Sequence, residues 1–370
     1  MTPAARRPTS ADVAERAGVS RATVSMVLNG RTEGTVSTVN QEKVLAAAAE
    51  LGYTRSAVAM SLRERRTRTI GLISDEIATS PWAGRMVREA SMVAAERGYM
   101  VLTADLSLRE ATVEGAVRML AERQVDGLVY AAMGRTRITA PTPPPGIPLV
   151  LLNCDAQPRE EAAAPVAVVP DDLQGARRAA RRLLEVGHRR IVMLSGDDDS
   201  VATCERQQGF AEVLEEAGLA PRIVRAGWQM DDGFRAAAEL LAEPVPPTAL
   251  FCIRDRVAAG AIHAAAVAGV AVPRELSVIG FDDEDFFAEV LTPPLTTIAL
   301  PHAEMGRTAM TALLDLVDAG AEEPADAADT AGTADGADTA DTADGAAAAG
   351  TVVVACPLVE RSSVARPPAG

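Results

Sequence analysis

A small all-α head followed by an α/β core of two lobes with parallel sheets is the fold class that this chain of 370 residues predicts. Asp12 to Gly30, DVAERAGVSRATVSMVLNG, holds two short helical patterns on either side of a glycine. Beyond Thr69, short apolar runs alternate with helical stretches, the pattern of βαβ units whose sheets are covered on both faces. Charge divides at the same place: residues 1–68 carry +5 and the remainder −20, so the overall −15 conceals a basic head.

The head is read element by element. Ser10 is placed to cap a first helix whose Val13, Ala14 and Ala17 share one face, and Gly18 supplies the backbone freedom of a sharp turn. Val19 fills the elbow. Ser20 caps a second helix with Val24, Val27 and Leu28 inward, which leaves Arg21, Ala22, Thr23, Ser25, Met26 and Asn29 on the outer surface. A third helix starts at Ser37 and is expected to bury Val44, Leu45, Ala48 and Leu51 before Gly52 stops it. Periodicity alone leaves an ordinary helical bundle open. The second helix nevertheless has the small polar outer face of one that enters a major groove with its N-terminal residues toward base edges, and a serine cap beside exposed backbone N–H groups suits a phosphate oxygen. Local positive charge serves such contacts, while the acidic body keeps the molecule soluble. Arg55 to Thr69, RSAVAMSLRERRTRT, is too short and too polar to fold alone and reads as a hinge.

In the core, the strand-like runs are Ile70 to Ser74, Asp126 to Ala132, Pro148 to Asn153, Arg190 to Gly196, Thr248 to Ile253 and Leu276 to Asp283. At roughly 100 to 200 residues per domain, this length predicts two lobes. Ligands of open α/β sheets bind beyond the carboxyl ends of the strands, so the residues just after these runs are the ones to inspect.

Four head blocks, DVAERAGVS, TVSMVLNG, VLAAAAELGY (Val44 to Tyr53) and SAVAMSL (Ser56 to Leu62), resemble the headpiece of the lactose-repressor (LacI) family of bacterial transcription regulators. GHRRI (Gly187 to Ile191), ERQQGF (Glu205 to Phe210), VIGFDD (Val278 to Asp283) and PPLTT (Pro293 to Thr297) match the effector-binding core of the same family. That core is similar to a type I periplasmic sugar-binding protein, in which three crossovers join two lobes around a ligand. The resemblance implies a homodimeric repressor on double-stranded, pseudo-palindromic operator DNA, controlled by a small effector, most simply a sugar or sugar derivative. A purine or other nucleobase is the alternative.

The resemblance also implies site residues. Ser10, Ser20, Arg21, Ala22, Thr23, Ser25, Met26 and Asn29 would meet DNA from the head, and Ala59, Leu62 and Arg63 from a hinge helix, with Leu62 levered into the minor groove. Arg206, Asp255 and Asp282 would clamp effector hydroxyls through paired hydrogen bonds. Trp82 and Trp228 are the two tryptophans, each able to stack on a ring or simply to fill a core. Asp75 and Asn153 sit at strand ends, where such residues also cap the next helix. The expected boundaries are a head over 1–54, a hinge over 55–68 and a core over 69–370. Within the core, the N-lobe takes 69–165 and 299–318, and the C-lobe 166–298 and 351–363. Several positions depart from the family pattern: Met26 and Met60 stand where arginine is usual, Arg55 where a proline starts the hinge helix, and Arg254 where asparagine often precedes Asp255.

Residues 319–350 are rich in Ala, Asp, Thr and Gly with eight acidic and no basic residues, which predicts a disordered insertion and not a tail. Cys154, Cys204, Cys252 and Cys356 lack metal-type spacing and read as reduced thiols, so neither a metal nor a cofactor is expected. Met1 to Ser20 has no apolar core and no stretch of eighteen apolar residues occurs, which predicts a cytoplasmic protein with no membrane partner and argues against an exported solute-binding protein. An α/β enzyme is disfavoured: no Walker A, GxSxG or HExxH motif is present, and His188, His263 and His302 form no recognisable triad. His188 follows Gly187 at a helix end, where it is expected to satisfy carbonyls.

Overall fold

The computed structural model describes residues 8–54, 60–61, 66–75, 83–106, 112–158, 164–196, 200–322 and 350–368. Ala59, Leu62, Arg63 and Trp82, with most of the hinge and of the acidic insertion, lie outside the described residues. The chain divides into two units, residues 1–67 and 68–370.

The first unit holds α1 (Ser10–Ala17), α2 (Arg21–Leu28) and α3 (Thr38–Glu50). Thr9, not Ser10, caps α1: its hydroxyl accepts from the Asp12 N–H, and the Asp12 carboxylate accepts from the Thr9 N–H at 2.6 Å, a reciprocal box that satisfies two orphan donors. Ser10 is therefore the first helical residue. Gly18 ends α1 at φ 65°, a left-handed conformation that costs glycine nothing. Ser20 caps α2 and Ser37 caps α3. The three helices bury Val13, Ala14, Ala17, Val24, Val27, Val44, Ala47 and Ala48 together. Leu45 is exposed, contrary to expectation. On α3 the inward stripe runs through 44, 47 and 48, and residue 45 lies a further 100° round the helix.

The second unit contains two six-stranded sheets. Along the chain its elements are β1 (Thr69–Ser74), α4 (Ala83–Glu96), β2 (Met100–Asp105), α5 (Val113–Glu122), β3 (Gly127–Ile138), β4 (Leu149–Ala156), β5 (Val166–Pro170), α6 (Asp172–Glu185), β6 (Ile191–Ser195) and α7 (Val201–Glu216). They continue with β7 (Arg222–Arg225), α8 (Met230–Leu241), β8 (Ala249–Cys252), α9 (Asp255–Val267), β9 (Ser277–Asp282), a short 3-10 turn (Ala288–Val290), β10 (Thr296–Ala299), α10 (His302–Glu322), β11 (Thr351–Val354) and β12 (Leu358–Val359). The first sheet has the order β11-β5-β4-β3-β1-β2 and the second β12-β10-β9-β8-β6-β7. Among the described residues every pairing is parallel except β10 with β12. Neighbouring residues of one strand enter opposite cores: Val129 and Ala131 pack under α4 and α10, whereas Leu128 and Tyr130 pack under α5. Burial on both faces is why these strands read as continuous apolar runs and not as alternation.

The chain crosses between sheets at 170–172, 299–302 and 354–358. Two expected boundaries move accordingly. Residues 166–170 form β5 of the first sheet, and 351–354 pair with β5 in that same sheet, so of the segment 351–363 expected in the C-lobe the strand that joins the second sheet is β12. A single strand-like run, TVVVACPLVERSS, had concealed a crossing at Cys356–Pro357. His188 has the structural role expected, though the carbonyl it satisfies is that of Ala365 at 2.9 Å and not one of the preceding helix; its ring also bonds the Thr248 and Ser277 hydroxyls at 3.0 Å, tying the C-terminal segment to the second sheet.

Candidate functional site

Two surfaces carry the chemistry. On α2 the exposed residues are Arg21, Ala22, Ser25 and Met26, a stripe at i, i+1, i+4 and i+5. Its hydroxyl and amide groups are largely turned on one another. The Ser20 hydroxyl accepts from the Thr23 N–H at 3.1 Å and shares a 2.9 Å hydrogen bond with the Thr23 hydroxyl. Asn29 donates to the Ser25 carbonyl at 2.5 Å and to its hydroxyl at 3.2 Å. Thus Ser20, Thr23, Ser25 and Asn29 shape the helix ends. Arg21, Ala22 and Met26, the last 39% exposed, form an outward set of one guanidinium beside two apolar groups.

The second surface is a cavity of about 300 Å³ between the carboxyl ends of the two sheets. Asn153, Arg206, Trp228 and Asp282 line it as the sequence predicts, joined by Arg135, Asp172, Arg254 and His302, among others. Arg206, buried on α7, donates Nε to Asp172 at 2.7 Å and Nη1 to the Ile253 carbonyl at 2.5 Å. Its guanidinium also stands 3.5 Å from Asp282 and 3.5 Å over the Phe281 ring. Burial alone would lower its pKa, but Asp172 and Asp282 outweigh this and hold it above the ordinary value. Asp282 is shared with Arg254 at 3.4 Å. Its own carboxyl is raised by burial despite both arginines. Trp228 is seated by Gly196, where a Cβ would come within 2.6 Å of the indole. His302 begins α10, and burial, then the charges of Arg85 and Arg206, lowers its pKa to about 4, so a neutral imidazole faces the cavity.

Two expected effector residues stand elsewhere. Asp75 accepts from the Met133 N–H at 3.1 Å and supports β3. Asp255 is fully buried at the start of α9, where it accepts from the Glu284 N–H at 2.8 Å and the Thr297 hydroxyl at 2.5 Å. Neither lines the cavity. Burial first, and then Asp282, raises the Asp255 carboxyl well above its usual range. A strand-end carboxylate was therefore read as a ligand clamp when its partners are the backbone and a neighbouring strand.

Arg135, Asp172 and Glu205 were missed as a group. Arg135 lies in the GRTRI extension of β3, whose polar residues look like a loop in sequence. Four residues of β3, 132–135, oppose Asn153 alone, a bulge that turns Arg135 toward the second sheet. Asn153 takes φ 60° and donates Nδ2 to the Ala132 and Met133 carbonyls at 3.0 and 3.2 Å, so it braces this bulge as well as lining the cavity. Asp171–Asp172, a helix-start pair after an apolar run, was the available signal for the acidic partner.

Residues 9–56 match the bacterial regulatory proteins, lacI family, and residues 180–333 a periplasmic binding protein-like domain. The chain is 33% identical to the HTH-type transcriptional repressor PurR of Erwinia tasmaniensis, covering 84% of this chain and 91% of that protein. Among solved structures it matches a Lac repressor dimer bound to operator and the anti-inducer ONPF at a TM-score of 0.74, with 26% identity, over 97% of this chain and 100% of that one. It also matches the transcriptional regulator CelR–cellobiose complex at a TM-score of 0.59, with 29% identity, over 96% of this chain and 100% of that one. A capped helix-turn-helix unit, two parallel sheets crossed three times by the chain, and relatedness across four-fifths of its length place this protein in the LacI family of DNA-binding transcriptional regulators.

Proposed function

We propose that the protein is a homodimeric repressor that works in the cytoplasm, holds a pseudo-palindromic operator with two heads, and is controlled by a neutral polyhydroxylated effector in the cavity. The observation that carries the effector class is the balance of charge there. Arg135, Asp172, Arg206, Asp282 and Arg254 on the cavity wall, continued behind it by Asp155 at one end and by Glu284 and Arg256 at the other, alternate in sign, each within 4 Å of the next. With the arginines already compensated, a phosphorylated or acidic ligand would displace one of these carboxylates. Sugar hydroxyls, which both donate and accept, use the remaining lone pairs and N–H groups, and the Trp228 face covers an apolar ring face. The cavity lies at the small end of the range for ligand sites, fitting one or two sugar rings. Cellobiose in the CelR complex agrees with this class.

In the head, Arg21 would take a guanine edge and Met26 a thymine methyl, while the Ser20 end of α2 meets a phosphate. The hinge reading, with Leu62 in the minor groove between Ala59 and Arg63, rests on the family resemblance. Effector would act by population shift, changing operator affinity by the difference in its own affinity for the two states, on the order of 1–3 kcal/mol.

A thermal-shift panel of neutral sugars, sugar phosphates, sugar acids and nucleobases tests the effector class. A neutral sugar is expected to raise the melting temperature, since 100-fold saturation adds about 2.7 kcal/mol. Shifts confined to phosphorylated or acidic compounds would overturn the charge argument, and shifts confined to nucleobases would establish the alternative.

A further inference from the structure

One buried guanidinium is shared by the two lobes, and the more exposed Arg85–Asp285 pair also spans them. Arg135 belongs to the first sheet, and so do two of its acceptors: Asp155 on β4, 3.2 Å from Nε, and the Pro170 carbonyl at the end of β5, 3.0 Å from Nη1. Its other two acceptors belong to helices that pack on the second sheet. Nη1 lies 3.3 Å from Asp172 at the start of α6 and 2.5 Å from Glu205 on α7. Asp172 carries Arg135 on Oδ2 and Arg206 on Oδ1, so a single carboxylate with no solvent exposure links the interlobe arginine to the arginine at the centre of the cavity.

We propose that Arg135 is the positioning residue of the cleft: it ties the lobes through Glu205 and holds Asp172 against Arg206. This rests on reading the cavity as the effector site. A guanidinium offers five donors in a fixed fork, so it can serve acceptors from two bodies at once where a lysine serves as a point charge. Arg135 and Asp172 are buried and Glu205 half-buried, so the guanidinium is expensive to leave without acceptors and the tie has two discrete conditions, made or broken. The bulge that aims Arg135 is braced by Asn153 and Asp75, which fixes the guanidinium relative to the first sheet. Lobe opening must then part Arg135 from Glu205 while sparing Asp155, which moves with Arg135. An entering effector that engages Arg206 acts on the same Asp172 and thereby on the tie.

The test needs no effector. In the full chain, Trp82→Phe leaves Trp228, on the cavity wall, as the remaining tryptophan, and acrylamide quenching of its fluorescence reports how open the cleft is. Glu205→Gln removes a partner across the lobes and Asp155→Asn removes one within the lobe. Glu205→Gln is expected to raise the quenching constant about twofold as open molecules, ordinarily a minor population, become common. Asp155→Asn is expected to leave it unchanged, even where both variants lower the melting temperature alike. Equal quenching in the two variants, whether raised or unraised, overturns the proposal, and this comparison stands even if Arg135→Met fails to fold. A negative sugar panel with the quenching difference intact would instead remove the effector reading and leave the tie.

Discussion

The outer face of α2 and the cleft between the sheets, the two surfaces proposed to recognise a partner, are built in opposite ways. On α2, hydroxyls and amide are spent on capping, and recognition falls to exposed side chains over a core of eight alanines and valines. In the cleft nearly every charged group is held by another, and the cation at the centre, Arg206, is buried with three partners. Exposed side chains can change what is bound without changing the fold. A coupled buried network cannot lose one member without disturbing the rest. Sequence variation in the head should therefore alter operator choice cheaply, whereas the cleft tunes its ligand only by concerted change, as where Arg254 stands beside Asp282 and Glu284.

The largest expected contrast is Arg206→Ala. It leaves Asp172 to Arg135 alone and Asp282 to Arg254 alone, and the Ile253 carbonyl without its donor, so a loss of about 3 kcal/mol in urea unfolding is expected, together with loss of any effector response. A variant with wild-type stability would show that the network is not coupled as described. Next comes the acid limb. Because the His302 pKa is depressed from the ordinary 6.5 to about 4, the unfolded chain binds the extra proton between those values. This stabilisation is complete above pH 6.5 and is lost as pH falls toward 4, amounting to about 3 kcal/mol. Over that window the stability of wild type is expected to fall by about 3 kcal/mol more than that of His302→Gln, and parallel curves would remove the argument for a neutral imidazole. The smallest effect on the fold is Arg21→Ala. Unfolding is expected to be unchanged, with about 1–3 kcal/mol of discrimination lost at one base pair of each half-site in a binding-site selection. A change in stability, or uniform weakening across all sequences, would blur the contrast between the two surfaces.

Much of this was legible in the sequence because it depends on local spacing: the helix-turn-helix pattern, the strand runs, and Arg206 and Asp282 in blocks that carry the family resemblance. What was not legible depends on the third dimension. Thr9 and Asp12 form a capping box that the spacing T-x-x-D allows, but Ser10 beside them is an equally good cap by residue type, and only the backbone shows which one stands outside the helix. Asp255 and Asp75 look in sequence like other strand-end acids, and only the Thr297 hydroxyl and the Glu284 and Met133 N–H groups reveal what they hold. Arg135 was hidden because a bulge, and no run of residue types, turns it across the cleft.

The central claim, that one α2 face reads DNA under the control of a ligand in the cleft, is tested most directly by a gel shift of the full chain on an operator obtained by selection from random DNA, with and without a neutral sugar found in the thermal panel. The account predicts salt-sensitive, sequence-specific retention that the sugar alters by about 5- to 150-fold in wild type and leaves unaltered in Trp228→Ala. Retention indifferent to every sugar that stabilises the protein, or a sugar response that survives in Trp228→Ala, would contradict it.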